Sequence, residues 1–209
     1  IELELYKSGK LKKIIFKRLN ISSLNLSFLN SDATDIPFTD GYFDIILAEN
    51  VFEHFMDYEG VLKESFRLLG VKGRLIVPIF SSIHSQYAYH VKSSLKLPWI
   101  QWFFSDLTII NVLKHKAELD PKLYDAFPGL KNNPIKISEI RRYNDLNDIS
   151  YKKFKEMAIK NGFEISYFET VSHNNLKVIR SLIRRIPFLN NSIFSDIFST
   201  GAKAILIKK

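Results

Sequence analysis

Apolar and polar positions along the chain come in short blocks whose period changes from two to about 3.6 and back. Ile1 to Leu5 alternates apolar with acidic residues and predicts a strand. Gly9 to Leu19 places Leu11, Ile14, Ile15 and Leu19 on one stripe and predicts a helix. The runs Leu24 to Leu29 and Tyr42 to Ala48, the second bounded by Thr39-Asp40-Gly41, predict two buried strands. Tyr58 to Leu69 keeps the helical period through Val61, Leu62, Phe66 and Leu69, stops at Gly70, and passes through Lys72-Gly73 into the apolar run Arg74 to Phe80. Beyond residue 150 the spacing predicts a helix over Tyr151 to Lys160 with a stop at Gly162, then a strand from Phe163 to Val171. A basic amphipathic helix from Leu176 to Arg185 and a last strand from Ala202 to Ile207 follow. Strands and helices alternating at this spacing predict an α/β fold, a mostly parallel sheet with helices on both faces.

Between Ser81 and about Ile149 the pattern is irregular, with an aromatic stretch at Trp99, Trp102, Phe103 and Phe104 followed by Pro121, Pro128-Gly129 and Pro134. That is too long for an ordinary connection, so residues 81–149 are expected to be a functional insertion within a single domain spanning 1–209.

Composition narrows the class. With 209 residues, 46% hydrophobic and 25% charged, the chain can bury a core, and disordered or collagenous readings are excluded. It has no cysteine, which removes disulfides, thiolate metal sites and cysteine nucleophiles, and makes the cytoplasm the default compartment. No apolar run approaches the roughly 20 residues needed to cross a bilayer. Nor does Ile1-Glu2-Leu3-Glu4-Leu5 read as a signal peptide or a start, so a fragment of a longer chain is expected. The net charge of +8 is uneven: residues 1–22 carry six basic and two acidic side chains, residues 174–209 seven and one, and the remainder 17 and 19. Basic ends allow contact with an anionic partner or a peripheral membrane surface, but a solvated helix face explains Lys10, Lys12, Lys13, Lys17 and Arg18 more simply.

In parallel α/β sheets ligands sit at the carboxyl ends of the strands, which directs attention to the residues that follow each predicted strand. After the first central run comes Asp32-Ala33-Thr34-Asp35-Ile36-Pro37-Phe38. Tyr42-Phe43-Asp44-Ile45-Ile46 leads to Ala48-Glu49-Asn50-Val51-Phe52-Glu53-His54, and Glu64-Ser65-Phe66-Arg67-Leu68-Leu69 precedes the glycine hairpin. Together these motifs resemble the S-adenosylmethionine-dependent methyltransferases of Rossmann-like (class I) fold, in their small-molecule branch. The resemblance is dense from Leu24 to Val77, looser at Asn161-Gly162-Phe163-Glu164, and covers about half the chain.

The resemblance implies a sheet whose last strand is antiparallel, with an acceptor-binding insertion after the fifth family strand. It also implies S-adenosylmethionine as cofactor. Asp32 would accept the adenine amine and Ala33 would offer a backbone donor, tasks suited to a strand-end carboxylate and a small neighbour. Glu2, or less readily Glu4, would hold the ribose hydroxyls; Ala48, Glu49 and Asn50 would pass the methionine end. His54 is the candidate base or acceptor contact, although with Glu53 it could equally orient the following segment. Asp44 takes the family's structural position. The chain departs from the family in beginning where the second strand should be, so the first strand and its glycine-rich loop are missing.

Other chemistry is weakly supported. Lys7-Ser8-Gly9-Lys10 lacks the first glycine of a phosphate loop, and no G-x-S-x-G is present. His84, His90, His115 and His173 show no ligand spacing, so no metal is expected. Ala48-Glu49-Asn50-Val51 replaces the Asn/Asp-Pro-Pro-aromatic loop of nucleic-acid amine methyltransferases, which argues against nucleic acid. Two readings remain. One is an enzyme methylating a small molecule, such as a sugar or lipid-like precursor, with Tyr87, Tyr89, Trp99, Trp102, Phe103 and Phe104 lining an apolar pocket or packing the insertion. The other is a non-catalytic methyltransferase-fold module that binds an anionic partner through its basic ends. If the alignment is right, this chain binds S-adenosylmethionine more weakly than a version extended upstream of Ile1; equal affinities in equilibrium dialysis would refute it.

Overall fold

A computed structural model describes residues 27–88, 95–126, 146–172 and 193–209, together with 130, 181, 185 and 186. The chain divides into two compact units, Ile1–Pro37 and Phe38–Lys209. In the first unit, the strand expected at Ile1 to Leu5 and the helix expected at Gly9 to Leu19 lie outside the described residues. The described part of the Leu24 to Leu29 run is not a strand, and Phe28 and Leu29 are exposed. A strand persists only when a neighbour satisfies its backbone groups, and none pairs with this segment among the described residues.

In the second unit β1 (Phe43–Leu47), β2 (Leu69–Phe80), β3 (Phe163–Val171) and β4 (Gly201–Lys208) form one sheet in the order β1-β2-β4-β3. β1 and β2 are parallel, while β4 is antiparallel to both β2 and β3. Three strands thus run one way and the last strand, inserted between two of them, runs back. This is the Rossmann-like arrangement the sequence led us to expect, with β1 on the edge among the described strands. Pairing of β2 with β4 is interrupted between Val77 and Phe80, where Pro78 has no N–H to offer the ladder.

The helices enter from the edge at which β1, β2 and β3 end. In α1 (Tyr58–Leu68) the Asp57 carboxylate accepts the Gly60 N–H at 2.8 Å, and Val61, Leu62, Ser65 and Leu68 form the buried face. In α3 (Tyr151–Lys160) Ser150 caps the first turn and Tyr151, Phe154 and Ala158 are buried. α1 packs on β2, α3 packs on β3, and the two helices touch. Between helices and sheet, Phe80 meets Phe52, Tyr151 and Phe154 at centroid distances of 6.2, 5.4 and 4.6 Å. Gly162 ends α3 at φ +91°, and a Cβ there would sit 3.0 Å from the Phe66 ring, so both conformation and space call for glycine.

The Glu64-x-x-Arg67 motif is a clamp. Arg67 forks onto the two Glu64 oxygens at 2.8 and 2.7 Å, and its Nη1 donates to Phe38 O at 2.8 Å and Asp40 Oδ1 at 2.7 Å. Those hydrogen bonds push the guanidinium pKa further up, first through Glu64 and then Asp40, and tie the turn before β1 to the end of α1. Lys208 on β4 donates 2.7 Å bonds to Phe66 O and Leu69 O, satisfying carbonyls at the end of the same helix.

The 81–149 segment is more regular than its sequence pattern implied. It holds α2 (Asp106–Leu119), capped by Ser105, whose Oγ accepts the Thr108 N–H. Ile109, Ile110, Leu113 and Ala117 of α2 pack with Ala88, Ile100, Leu130 and Leu146 into a second core. That core is aliphatic, so the aromatics Trp102, Phe103 and Phe104 are not its packing; all three are exposed. Phe80 is fully buried at the main core's centre, and Phe80→Ala is expected to destabilise the chain by about 3–5 kcal/mol in urea unfolding.

Candidate active site

Of the motifs the sequence singled out, Ala48-Glu49-Asn50 stands at the carboxyl end of a parallel strand. After β1, Ala48 N donates to Ile76 O at 3.0 Å and Asn50 N to Ile79 O at 2.9 Å, so residues 48–50 are strapped to β2. Asn50 takes a left-handed conformation at φ +53°, which asparagine tolerates better than most residues. Glu49 and Asn50 are exposed and Ala48 is half-buried, which leaves two polar side chains presented at the strand end.

A short 3-10 turn, Phe52–His54, follows. Phe52 is buried in the aromatic core and His54 is half-buried, its N–H bonded to Val51 O at 2.9 Å. Glu53 between them is also buried, and burial pushes its carboxyl pKa up against the lowering effect of backbone N–H groups and His54. Asn147 fastens this turn from the far end of the insertion. Its Nδ2 donates to Phe52 O at 2.6 Å and Phe55 O at 2.7 Å, its N–H to Glu53 O at 2.8 Å, and its Oδ1 accepts the Ile149 N–H. No motif signalled that residue.

Asp32 and Ala33 belong to the other unit. There Asp32 Oδ1 accepts the Thr34 N–H at 2.9 Å and the Thr34 hydroxyl at 2.7 Å, and both donors lower its pKa. The carboxylate is therefore ionised and locked in an Asx turn, with Ala33 at the turn's centre. This local role and a purine contact are compatible, because only Oδ1 is engaged among the described residues. Glu2 and Glu4 lie outside the described residues.

Past the end of β2 the structure assembles a group that sequence reasoning left scattered. Asp196 is buried, and its Oδ2 accepts the Ser82 hydroxyl at 2.5 Å and the Tyr151 N–H at 3.0 Å. Ser82 Oγ also accepts the His84 N–H at 3.2 Å, and the Tyr151 hydroxyl meets Ser199 Oγ at 2.8 Å. Beside this network a cavity of about 400 Å³ is lined by Ile83, His84, Gln101, Trp102, Asp148, Ser150 and Lys153. Burial pushes the His84 pKa down, opposed by Asp196, so its imidazole is neutral at pH 7. Of the aromatics expected to line an apolar pocket, Trp102 reaches this cavity, whose walls mix apolar and polar surface. Trp99 instead donates its indole N–H to Ile197 O at 2.7 Å and packs on Phe198, Phe103 and Phe104 face outward, and Tyr89 lies outside the described residues.

A family model described as "Methyltransferase domain" matches residues 8–77. The match takes in Asp32-Ala33, β1 and the Ala48–Asn50 turn. The chain is 39% identical over 61 residues to the demethylmenaquinone methyltransferase of Thermus thermophilus, covering 29% of this chain and 28% of that protein. The ubiquinone/menaquinone biosynthesis C-methyltransferase UbiE of Paraburkholderia phymatum is 37% identical over 93 residues, or 43% of this chain and 38% of its own length. Each match spans less than two fifths of the relative. Among solved structures, a SAM-dependent methyltransferase from Thermotoga maritima is 17% identical with a TM-score of 0.46, covering 87% of this chain and 63% of that one.

The buried Asp196 makes the chain's stability pH-dependent. Burial raises its pKa, the Ser82 and Tyr151 donors acting in the opposite direction. A raised carboxyl favours folding below the ordinary carboxylate range, and that contribution is lost as pH rises through the folded-state value. Asp196→Asn keeps an oxygen for both donors but has no proton to lose. From about pH 4 to about pH 7 the variant's urea midpoint is expected to rise relative to wild type; a constant difference would mean that burial does not perturb Asp196.

Proposed function

We propose that the protein transfers a methyl group from S-adenosylmethionine to a small-molecule acceptor, a sugar or a lipid-like precursor. The observation that carries this reading is the methyltransferase-domain match of residues 8–77, which includes the polar turn strapped to the end of β1. A three-up, one-back strand order of Rossmann-like type supports it.

The residues present suit such a cofactor in their chemistry. Asp32, ionised and held by Thr34, is fit to accept hydrogen bonds from an exocyclic amine, and Ala33 leaves the backbone approachable. Glu49 and Asn50 offer an acceptor and an amide where an ammonium group would lie, with Ala48 beside them. Bound S-adenosylmethionine supplies a methyl group already activated on a sulfonium, so the chain's task is to position the acceptor and exclude water. His54, half-buried in the turn after Asn50, is placed to contact the acceptor or take its proton, and the insertion at 81–149 is the part assigned to acceptor binding. The family match ends at residue 77, before that insertion.

The non-catalytic alternative rested on the basic ends. The first 26 residues and most of Leu176 to Arg185 lie outside the described residues, and no specific observation favours it. No helix among the described residues is long and apolar enough to cross a membrane.

In isothermal titration of the full-length protein, Asp32→Ala is expected to weaken S-adenosylmethionine binding at least about tenfold, or about 1.4 kcal/mol. Full-length protein given methyl-labelled cofactor and a metabolite extract is expected to label a small molecule. Cofactor binding without any labelled product would sink the enzymatic reading.

A further inference from the structure

The cavity beyond β2 has a composition that selects among ligands. Trp102 stands at its rim, half exposed, with the His84 ring 5.8 Å away and tilted by 48°. Ile83 adds a second apolar wall, and the other lining residues are polar. Lys153 Nζ lies 2.5 Å from Asp148 Oδ2, so the one fixed cation and the one fixed anion on the walls are paired with each other. Ser150, which caps α3, and Gln101, whose Nε2 donates to Ser85 O at 2.8 Å, are the neutral polar groups of the lining, each held by the fold.

These features exclude several classes. An anion would face Asp148 and a cation Lys153, with no net field to favour either. A flat apolar arene would desolvate the polar walls without pairing them, a cost of about 1–3 kcal/mol for each group left unsatisfied. An uncharged ring with hydroxyls around its edge suits the set, because each hydroxyl both donates and accepts and one ring face can rest on an indole. We propose that the cavity formed by His84, Gln101, Trp102, Asp148, Ser150 and Lys153 binds a sugar ring, Trp102 supplying the platform and the Lys153–Asp148 pair the hydroxyl contacts. The cavity adjoins the candidate active site through the chain itself: Asp148 follows Asn147, which holds the Phe52–His54 turn. This names the acceptor class within the methyl-transfer reading and rests on it for the chemistry that follows binding; the binding itself does not depend on it.

The test is saturation-transfer NMR of the full-length protein, without cofactor, against the methyl pyranosides of glucose, galactose, mannose and rhamnose, with 1-naphthol as the planar comparator. At least one pyranoside is expected to bind saturably, with a dissociation constant of about 1 mM. That binding is expected to weaken at least about fivefold in Trp102→Ala and in Asp148→Asn, about 1 kcal/mol in each, while Phe103→Ala, outside the cavity, leaves it unchanged. Circular dichroism melts of the variants separate lost binding from lost folding. Absence of pyranoside binding, binding indifferent to Trp102 and Asp148, or saturable binding of 1-naphthol alone would overturn the proposal. Sugar binding that follows the variants in a protein that transfers no methyl group would uphold the site and reject the methyl-transfer reading.

Discussion

The buried carboxylate of Asp196 is the constraint on which the carboxyl edge of the sheet depends. A buried anion is tolerated only where donors replace its water, and here two of them come from segments far apart in sequence. Ser82 lies just past the end of β2 and Tyr151 opens α3, while Asp196 itself leads into β4. One carboxylate therefore joins the exit of a strand, the entry of a helix and the approach to the strand that closes the sheet. The same node places His84 and the start of α3, and hence one side of the neighbouring cavity.

A second set of bonds serves the other side of that edge. Backbone contacts from Ala48 and Asn50 to β2 make the turn after β1 part of the sheet, and Asn147 holds the next turn from the end of the insertion. The shape of the site thus comes from main-chain groups and one buried amide, with the candidate ligand contacts Glu49 and Asn50 left exposed. Arg67 illustrates the same economy of roles: a motif that marks the family works here as a clamp on the turn before β1.

Much of the fold was legible because its signals are local. The Tyr151–Lys160 helix, the Gly162 stop and the Phe163–Val171 strand follow from periodicity, a cap and a glycine at positive φ, all readable in a dozen residues. α2 was readable in principle, since Ser105 stands before Ile109, Ile110, Leu113 and Ala117 at helical spacing; the neighbouring aromatics and prolines obscured it. The run Leu24 to Leu29, in its described part from Ser27 on, misled for the opposite reason. Its apolar run satisfies the strand pattern, but strand formation depends on a partner that a local pattern cannot supply.

The sequence by itself carried the elements β1, α1, β2, α3, β3 and β4, the candidate residues Asp32-Ala33 and Ala48-Glu49-Asn50, and the methyltransferase resemblance. These depend on residues close together in the chain. Only the tertiary structure decided that His84, Trp102, Asp148 and Lys153 share a cavity, and that Ser82, Tyr151 and Asp196 form one network. Those residues are separated by tens of positions, and what brings them together is strand pairing and burial, which no local spacing encodes.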